Sequence, residues 1–164
     1  MYEVEFGTSL RVICDELGGG MRDGARMRSL QVGGPLGGFL APDALDIGLS
    51  FEGLAAHGVD LGHGGLVAFD ERVSGAELLR HVWGFMADES CGTCFPCRVG
   101  TRRGHELAER AGDGPLTAQD AALQESLIHT MGEASLCAFG RSIPAPIHTL
   151  MGVYRDELAP GGAR

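Results

Sequence analysis

The sequence predicts an α+β protein in two parts, a small sheet-containing unit over residues 1–72 followed by a four-helix bundle over residues 73–160. Three observations carry this. The first 72 residues are cut by glycine runs into short apolar stretches of strand length. From Ser74 onward, apolar residues recur at helical spacing. Helix start and stop signals then alternate regularly, beginning with Ser74-x-x-Glu77 and Thr117-x-x-Asp120 and ending with Gly112-Asp113-Gly114-Pro115 and Gly132.

Residues 2–6 alternate apolar and acidic, with Tyr2, Val4 and Phe6 against Glu3 and Glu5, the pattern of a half-buried strand. Thr8 or Ser9 can cap a short helix carrying Leu10, Ile13, Cys14 and Leu17 on one face, stopped by Gly18-Gly19-Gly20. On that stripe Cys14 reads as a small buried hydrophobe. A second strand is expected over 27–32. The run Gly33-Gly34-Pro35-Leu36-Gly37-Gly38-Phe39-Leu40 then breaks regular structure as a turn or bulge, or as a contact surface for a neighbouring domain. It lacks the flanking pattern of a dinucleotide fingerprint and a phosphate loop's Gly-Lys-Ser/Thr ending. A short helix over 51–57 leads through Gly62-His63-Gly64-Gly65 to a strand over 66–69. This order of elements is compatible with a small β-grasp.

The bundle follows. Leu78, Leu79, Val82, Trp83 and Met86 form the stripe of its first helix. A second helix is expected from Arg98 to about Arg110, with Gly100 and Gly104 one turn apart for close packing. The third opens at Thr117, carries Leu123, Leu127, Ile128 and Met131, and stops at Gly132. A fourth begins at Pro146 and bears Ile147, Leu150, Met151, Tyr154 and Leu158. Residues 161–164 read as a frayed tail.

Composition narrows the function. The 164 residues carry a net charge of −9, which disfavours nucleic acid and anionic membrane as partners. All 13 basic residues are arginines, so lysine-based catalysis is excluded. No run is long enough to cross a bilayer, so direct membrane insertion is not expected. Five cysteines without a secretory signal fit reduced thiols and a cytoplasmic setting better than disulfides. The six histidines form no ligand-spaced set, and no nucleophile–base pair or carboxylate dyad supports hydrolysis.

What remains is the run Glu89-Ser90-Cys91-Gly92-Thr93-Cys94-Phe95-Pro96-Cys97-Arg98, with Cys137 much further along. Two-residue gaps let a tight loop turn its thiolates inward, and Gly92 and Pro96 are residue types such a loop uses. Three thiolates from one loop plus one from a distant segment suit a [4Fe-4S] cluster. Zinc is the rival, in a zinc-stabilised interaction module with a sheet docking surface, although structural zinc more often draws ligands in pairs. Ser90 could hydrogen-bond around the loop or merely end the first helix. Arg98 and Arg102, one turn apart with Arg103 beside them, could tune a cluster or dock a partner, or form a solvated face. In a bundle, antiparallel neighbours bring the loop after helix one and the loop after helix three to the same end.

Glu89-Ser-Cys-Gly-x-Cys-x-Pro-Cys-Arg98 and Ser135-Leu-Cys-Ala-Phe-Gly140 resemble the C-terminal part of the NADH-oxidising flavoprotein subunit. Respiratory complex I, NAD-reducing hydrogenases and NAD-dependent formate dehydrogenases share that subunit. The two glycine-rich stretches of the first unit are similar to its soluble-ligand-binding β-grasp domain. Phe139-Gly140 and Pro144-x-Pro146 look most like the formate dehydrogenase beta subunit. The resemblance implies that Cys91, Cys94, Cys97 and Cys137 hold a [4Fe-4S] cluster; the residues beside them, Ser90, Gly92, Pro96, Arg98 and Arg102, are read from the chain itself as its surroundings. It also implies partners: a flavin/NADH-binding chain or domain, which would carry FMN and NAD, and further iron–sulfur subunits. That flavin domain comes first in the family and is not seen in this sequence, so a fragment or a split subunit is expected, not catalytic alone.

Overall fold

The computed structural model describes residues 1–161, so all of the tail expected over 161–164 except Gly161 lies outside the described residues. The chain divides into two compact units, Met1–Val73 and Ser74–Arg164.

The first unit is built on a three-stranded antiparallel sheet of order β2-β1-β3, with β1 at Met27–Val32, β2 at Gly38–Leu40 and β3 at Leu66–Asp70. Leu30 faces Leu40 and Ala68 in register, and Val32 faces Gly38 and Leu66. Leu10, Leu30, Val32, Leu40, Leu45, Leu54 and Val59 form the core against one side of it. The short helix α1, Phe51–Ala55, delivers Leu54 to that core, and the Ser50 hydroxyl caps it by accepting from the Gly53 N–H.

Three expectations fail here. Residues 2–6 form no strand. Alternation makes a strand only where a neighbour completes the ladder, and the first long-range backbone bonds come later, from Gly7 N–H to the Leu49 carbonyl and Leu10 N–H to Ile47. Tyr2 and Phe6 are accordingly exposed. Leu17 also lies outside the core, because the turn over Val12–Leu17 is a wide π-type turn, not an α-helix. Finally, the glycine run is not wholly irregular. Its end forms β2, and its start interlocks with the second glycine stretch: a Cβ on Gly33 would sit 2.3 Å from the Asp60 carbonyl oxygen, and one on Gly62 would sit 2.2 Å from that of Gly33.

The second unit is helical: α2 (Gly75–Glu89), α3 (Phe95–Ala111), α4 (Ala118–Ala134), α5 (Ala138–Ser142), α6 (Pro144–Val153) and α7 (Arg155–Leu158). Ser74 caps α2 by accepting from Ala76 N–H, and Glu157 reaches back to accept from Gly75 N–H at 2.7 Å. Thr117 caps α4 by accepting from Asp120 N–H at 3.1 Å. Trp83 is fully buried, and its indole N–H donates to the buried Gln124 Oε1 at 3.1 Å, tying α2 to α4. Gly100 and Gly104 do provide close approach. A Cβ at Gly104 would meet the Trp83 ring at 2.5 Å, and one at Gly100 would meet the Met131 sulfur at 2.5 Å.

Helix boundaries depart from expectation in four places. The second helix starts at Phe95, not Arg98, because Pro96 at its first turn needs no N–H donor there. The third runs through Gly132 to Ala134. Gly132 faces Pro144, whose Cγ would lie 3.1 Å from an added Cβ, so its small size serves packing and not termination. A short helix, α5, follows Cys137 directly where only a loop was expected. The last helix begins at Pro144 and breaks at Tyr154, leaving α7 as a separate turn that buries Leu158. Among the described residues, no helix is long and apolar enough to cross a membrane.

Candidate metal centre

Two segments of the second unit build the site: the loop between α2 and α3, and the turn between α4 and α5. Gly92 lies in the first with φ +75°, a conformation that favours glycine. Arg98 steadies the loop from the helix that follows, donating from Nη1 to the Gly92 carbonyl at 3.2 Å. Cys94 is the N-cap of α3, so Cys97 sits in that helix's first turn. Thr101 holds the same turn, donating to the Cys97 carbonyl at 2.9 Å. In the other segment Cys137 is the N-cap of α5, and Arg141 donates from Nε to the Ser135 carbonyl at 2.9 Å.

These segments meet. Cys91, Cys94, Cys97 and Cys137 all line one cavity of about 170 Å³, together with Glu89, Ser90, Thr93 and Phe139. Gly140 makes the approach possible: a Cβ there would fall 2.4 Å from Ser135 Oγ and 3.2 Å from Cys97 Cβ. Cys97 is buried, Cys94 half-buried, and Cys91 and Cys137 are exposed. Phe95 and Leu136, each beside a cysteine, are large apolar residues left in solvent.

The thiols differ electrostatically. Hydrogen bonds from the backbone N–H of Leu136, then of Cys97, hold Cys94 below the ordinary thiol range. The first of these crosses between the two segments. Cys91 is also lowered, chiefly by the Thr93 side chain, whose Oγ1 is 3.4 Å from its sulfur. Burial pushes Cys97 up, against a lowering contact from Ser90 Oγ at 3.3 Å, and charge on Cys94, Cys137 and Cys91 pushes it further. Ser135 Oγ is buried with no partner of good hydrogen-bond geometry, yet it lies near enough to Cys94 to lower that thiol slightly.

Of the residues predicted around the loop, Ser90, Gly92, Pro96 and Arg98 are placed in or beside it. Arg102 is exposed and makes no hydrogen bond or ion pair among the described residues, the solvated-face reading. Arg103 pairs with Glu106 on its own helix. Thr93, Ser135, Gly140 and Arg141 carry no individual role in the sequence reading; Ser135 and Gly140 stand in the motif around Cys137, and the signal for Thr93 and Arg141 is their nearness to a cysteine. Cys14, expected as a small buried hydrophobe, is half-buried in the first unit and packed against its core.

Residues 77–160, which contain all four of these cysteines, match the NADH-ubiquinone oxidoreductase-F iron-sulfur binding region. The chain belongs to that family. Its cofactor is a [4Fe-4S] cluster, and a set of four thiols on one cavity is the donor chemistry such a cluster takes. The chain is 36% identical to the NADP-reducing hydrogenase subunit HndC of Solidesulfovibrio fructosivorans, covering 96% of this chain and 32% of that protein. It is 31% identical to the F subunit of the NADH-quinone oxidoreductase of Escherichia coli, covering 98% of this chain and 36% of that one. It thus spans about a third of the length of these relatives. In structure it resembles the NAD+-reducing [NiFe]-hydrogenase in the H2-reduced state, with a TM-score of 0.79 at 32% identity, over 94% of this chain and 26% of that one.

Proposed function

We propose that Cys91, Cys94, Cys97 and Cys137 ligate the [4Fe-4S] cluster and that the chain is an electron-relay module of an NADH-linked oxidoreductase. The observation that carries this reading is the convergence of four thiols, from two segments far apart in sequence, on one cavity. Bound there, the cluster would accept and release one electron at a time without bond-making chemistry at the protein. The chain's own residues prepare the site: α3 presents N–H groups from its first turn, and the Leu136 and Cys97 amides favour the charged form of Cys94.

Electrons would pass between a flavin on another domain or chain, which also takes NADH, and iron–sulfur centres of partner subunits. The hydrogenase and quinone-oxidoreductase relatives favour assemblies of those kinds over a formate dehydrogenase. In the same reading residues 1–72 are a β-grasp domain and residues 73–160 a four-helix bundle, working in the cytoplasm. Zinc fits less well. A tetrahedral zinc–thiolate site gathers its sulfurs to about 3.8 Å of one another, given Zn–S bonds of about 2.3 Å. A cubane gives each thiolate its own iron and sets the sulfurs wider.

Anaerobically purified protein tests this directly. Brown protein that bleaches with dithionite and then gives the paramagnetic resonance of a reduced cubane supports the relay. Colourless, zinc-loaded protein contradicts it.

A further inference from the structure

Three hydroxyls stand around the cavity. Ser90 Oγ is 3.3 Å from Cys97 Sγ, and Thr93 Oγ1 is 3.4 Å from Cys91 Sγ. Ser135 is 1% exposed, and a Cβ placed on Gly140 would meet both its Oγ, at 2.4 Å, and the Cys97 Cβ, at 3.2 Å. That oxygen has no hydrogen-bond partner of good geometry, an arrangement that costs stability unless something at the site accepts from it. Among the described residues no hydroxyl stands against Cys137 in this way.

The direction of these contacts is fixed by chemistry. A cysteine that ligates iron is a thiolate and can only accept. The Cys91 S–H that now donates to Thr93 loses its proton, so the Thr93 hydroxyl must turn and donate instead. The Ser90–Cys97 pair, in which either atom can donate, resolves the same way. Hydrogen bonds to cluster sulfurs are one of the levers that set reduction potential, because they stabilise the more negative, reduced state.

We infer that Ser90 and Thr93 donate hydrogen bonds to the ligand sulfurs of Cys97 and Cys91, that the buried, unpartnered Ser135 hydroxyl behind Cys97 donates to the same set of sulfurs, and that all three thereby raise the cluster's reduction potential. They act through the ligands and touch no substrate. The inference rests on the ligand assignment proposed above.

The test is a redox titration of the purified, cluster-loaded chain followed by its paramagnetic resonance, with iron and sulfide measured on each sample. Ser90→Ala, Thr93→Val and Ser135→Ala each lower the midpoint potential with iron and sulfide unchanged, and the triple variant lowers it more than any single change. Thr93→Ser, which keeps the hydroxyl, retains the wild-type potential and guards against a folding artefact at that position. Iron–thiolate stretching bands that shift on exchange into D2O in the wild type, and lose that shift in the triple variant, give a second readout. A fully loaded triple variant with the wild-type potential overturns the inference and leaves the ligand assignment standing. A wild-type chain that binds neither iron nor sulfide overturns both.

Discussion

Gly140 lacks a side chain because two neighbours already occupy the space. An alanine Cβ would overlap Ser135 and press on the back of Cys97, so it must push the Cys137 segment away from the cysteine loop. Gly140→Ala is therefore expected to cost about 1–3 kcal/mol by overpacking and to reduce iron loading as well. Urea unfolding and iron analysis of one preparation measure both, and a variant unchanged in each would refute the packing argument. Cys137→Ser is the milder change in shape and the harsher one in chemistry. It should lose the cluster and lower the melting temperature of cluster-loaded protein, because metal binding and folding are coupled. Equal melting temperatures and equal iron in variant and wild type would count against that coupling.

At the scale of elements, what was legible in the sequence follows a physical rule. Helices marked by side-chain caps were placed well, since Ser74 and Thr117 announce their own hydrogen bonds. The small residues Gly100 and Gly104 announced close packing, and Trp83 and Met131 supply it. Signals with two meanings were misread. Gly132 looked like a stop but accommodates Pro144, and the alternation at residues 2–6 described a strand with no ladder to join. The cysteine spacing revealed which thiols converge, but not the hydroxyls and amides facing them, which depend on how two distant turns dock. The α2–α3 contact sets Gly104 against a rigid ring. Gly104→Ala places a methyl 2.5 Å from the Trp83 ring and should destabilise the helical unit by about 1–3 kcal/mol. Gln124→Leu removes the acceptor of the buried Trp83 N–H and should cost a similar amount, roughly 1–3 kcal/mol, for the unsatisfied donor. Thermal melts of the two single variants check both figures.

For the whole molecule, pH acts on the two units through different groups. In the first, Arg11 holds the Asp46 carboxyl and Arg72 holds that of Asp70 below the usual carboxylate range. Depressed folded-state values mean that these pairs stabilise above the unfolded value of about 3.9 and lose that contribution as pH falls through the folded ones. Asp46 is exposed, and Asp70, though largely covered, pairs with an exposed Arg72, so the effect is small, and its sign is the prediction. Acid unfolding of an Asp46→Asn, Asp70→Asn variant should depend less steeply on pH below about 4 than that of the wild type. In the helical unit, acid works against the site itself, since all four thiols must be deprotonated to ligate and burial opposes this at Cys97. The account as a whole stands on the two turns gripping one cluster together. Iron and acid-labile sulfide in anaerobically prepared wild type and five single Cys→Ser variants test this most directly. About four irons and four sulfides per chain are expected in the wild type and in Cys14→Ser, with large losses at Cys91, Cys94, Cys97 and Cys137. Full loading after substitution of Cys137, or losses at Cys14 as great as at the other four, would contradict it.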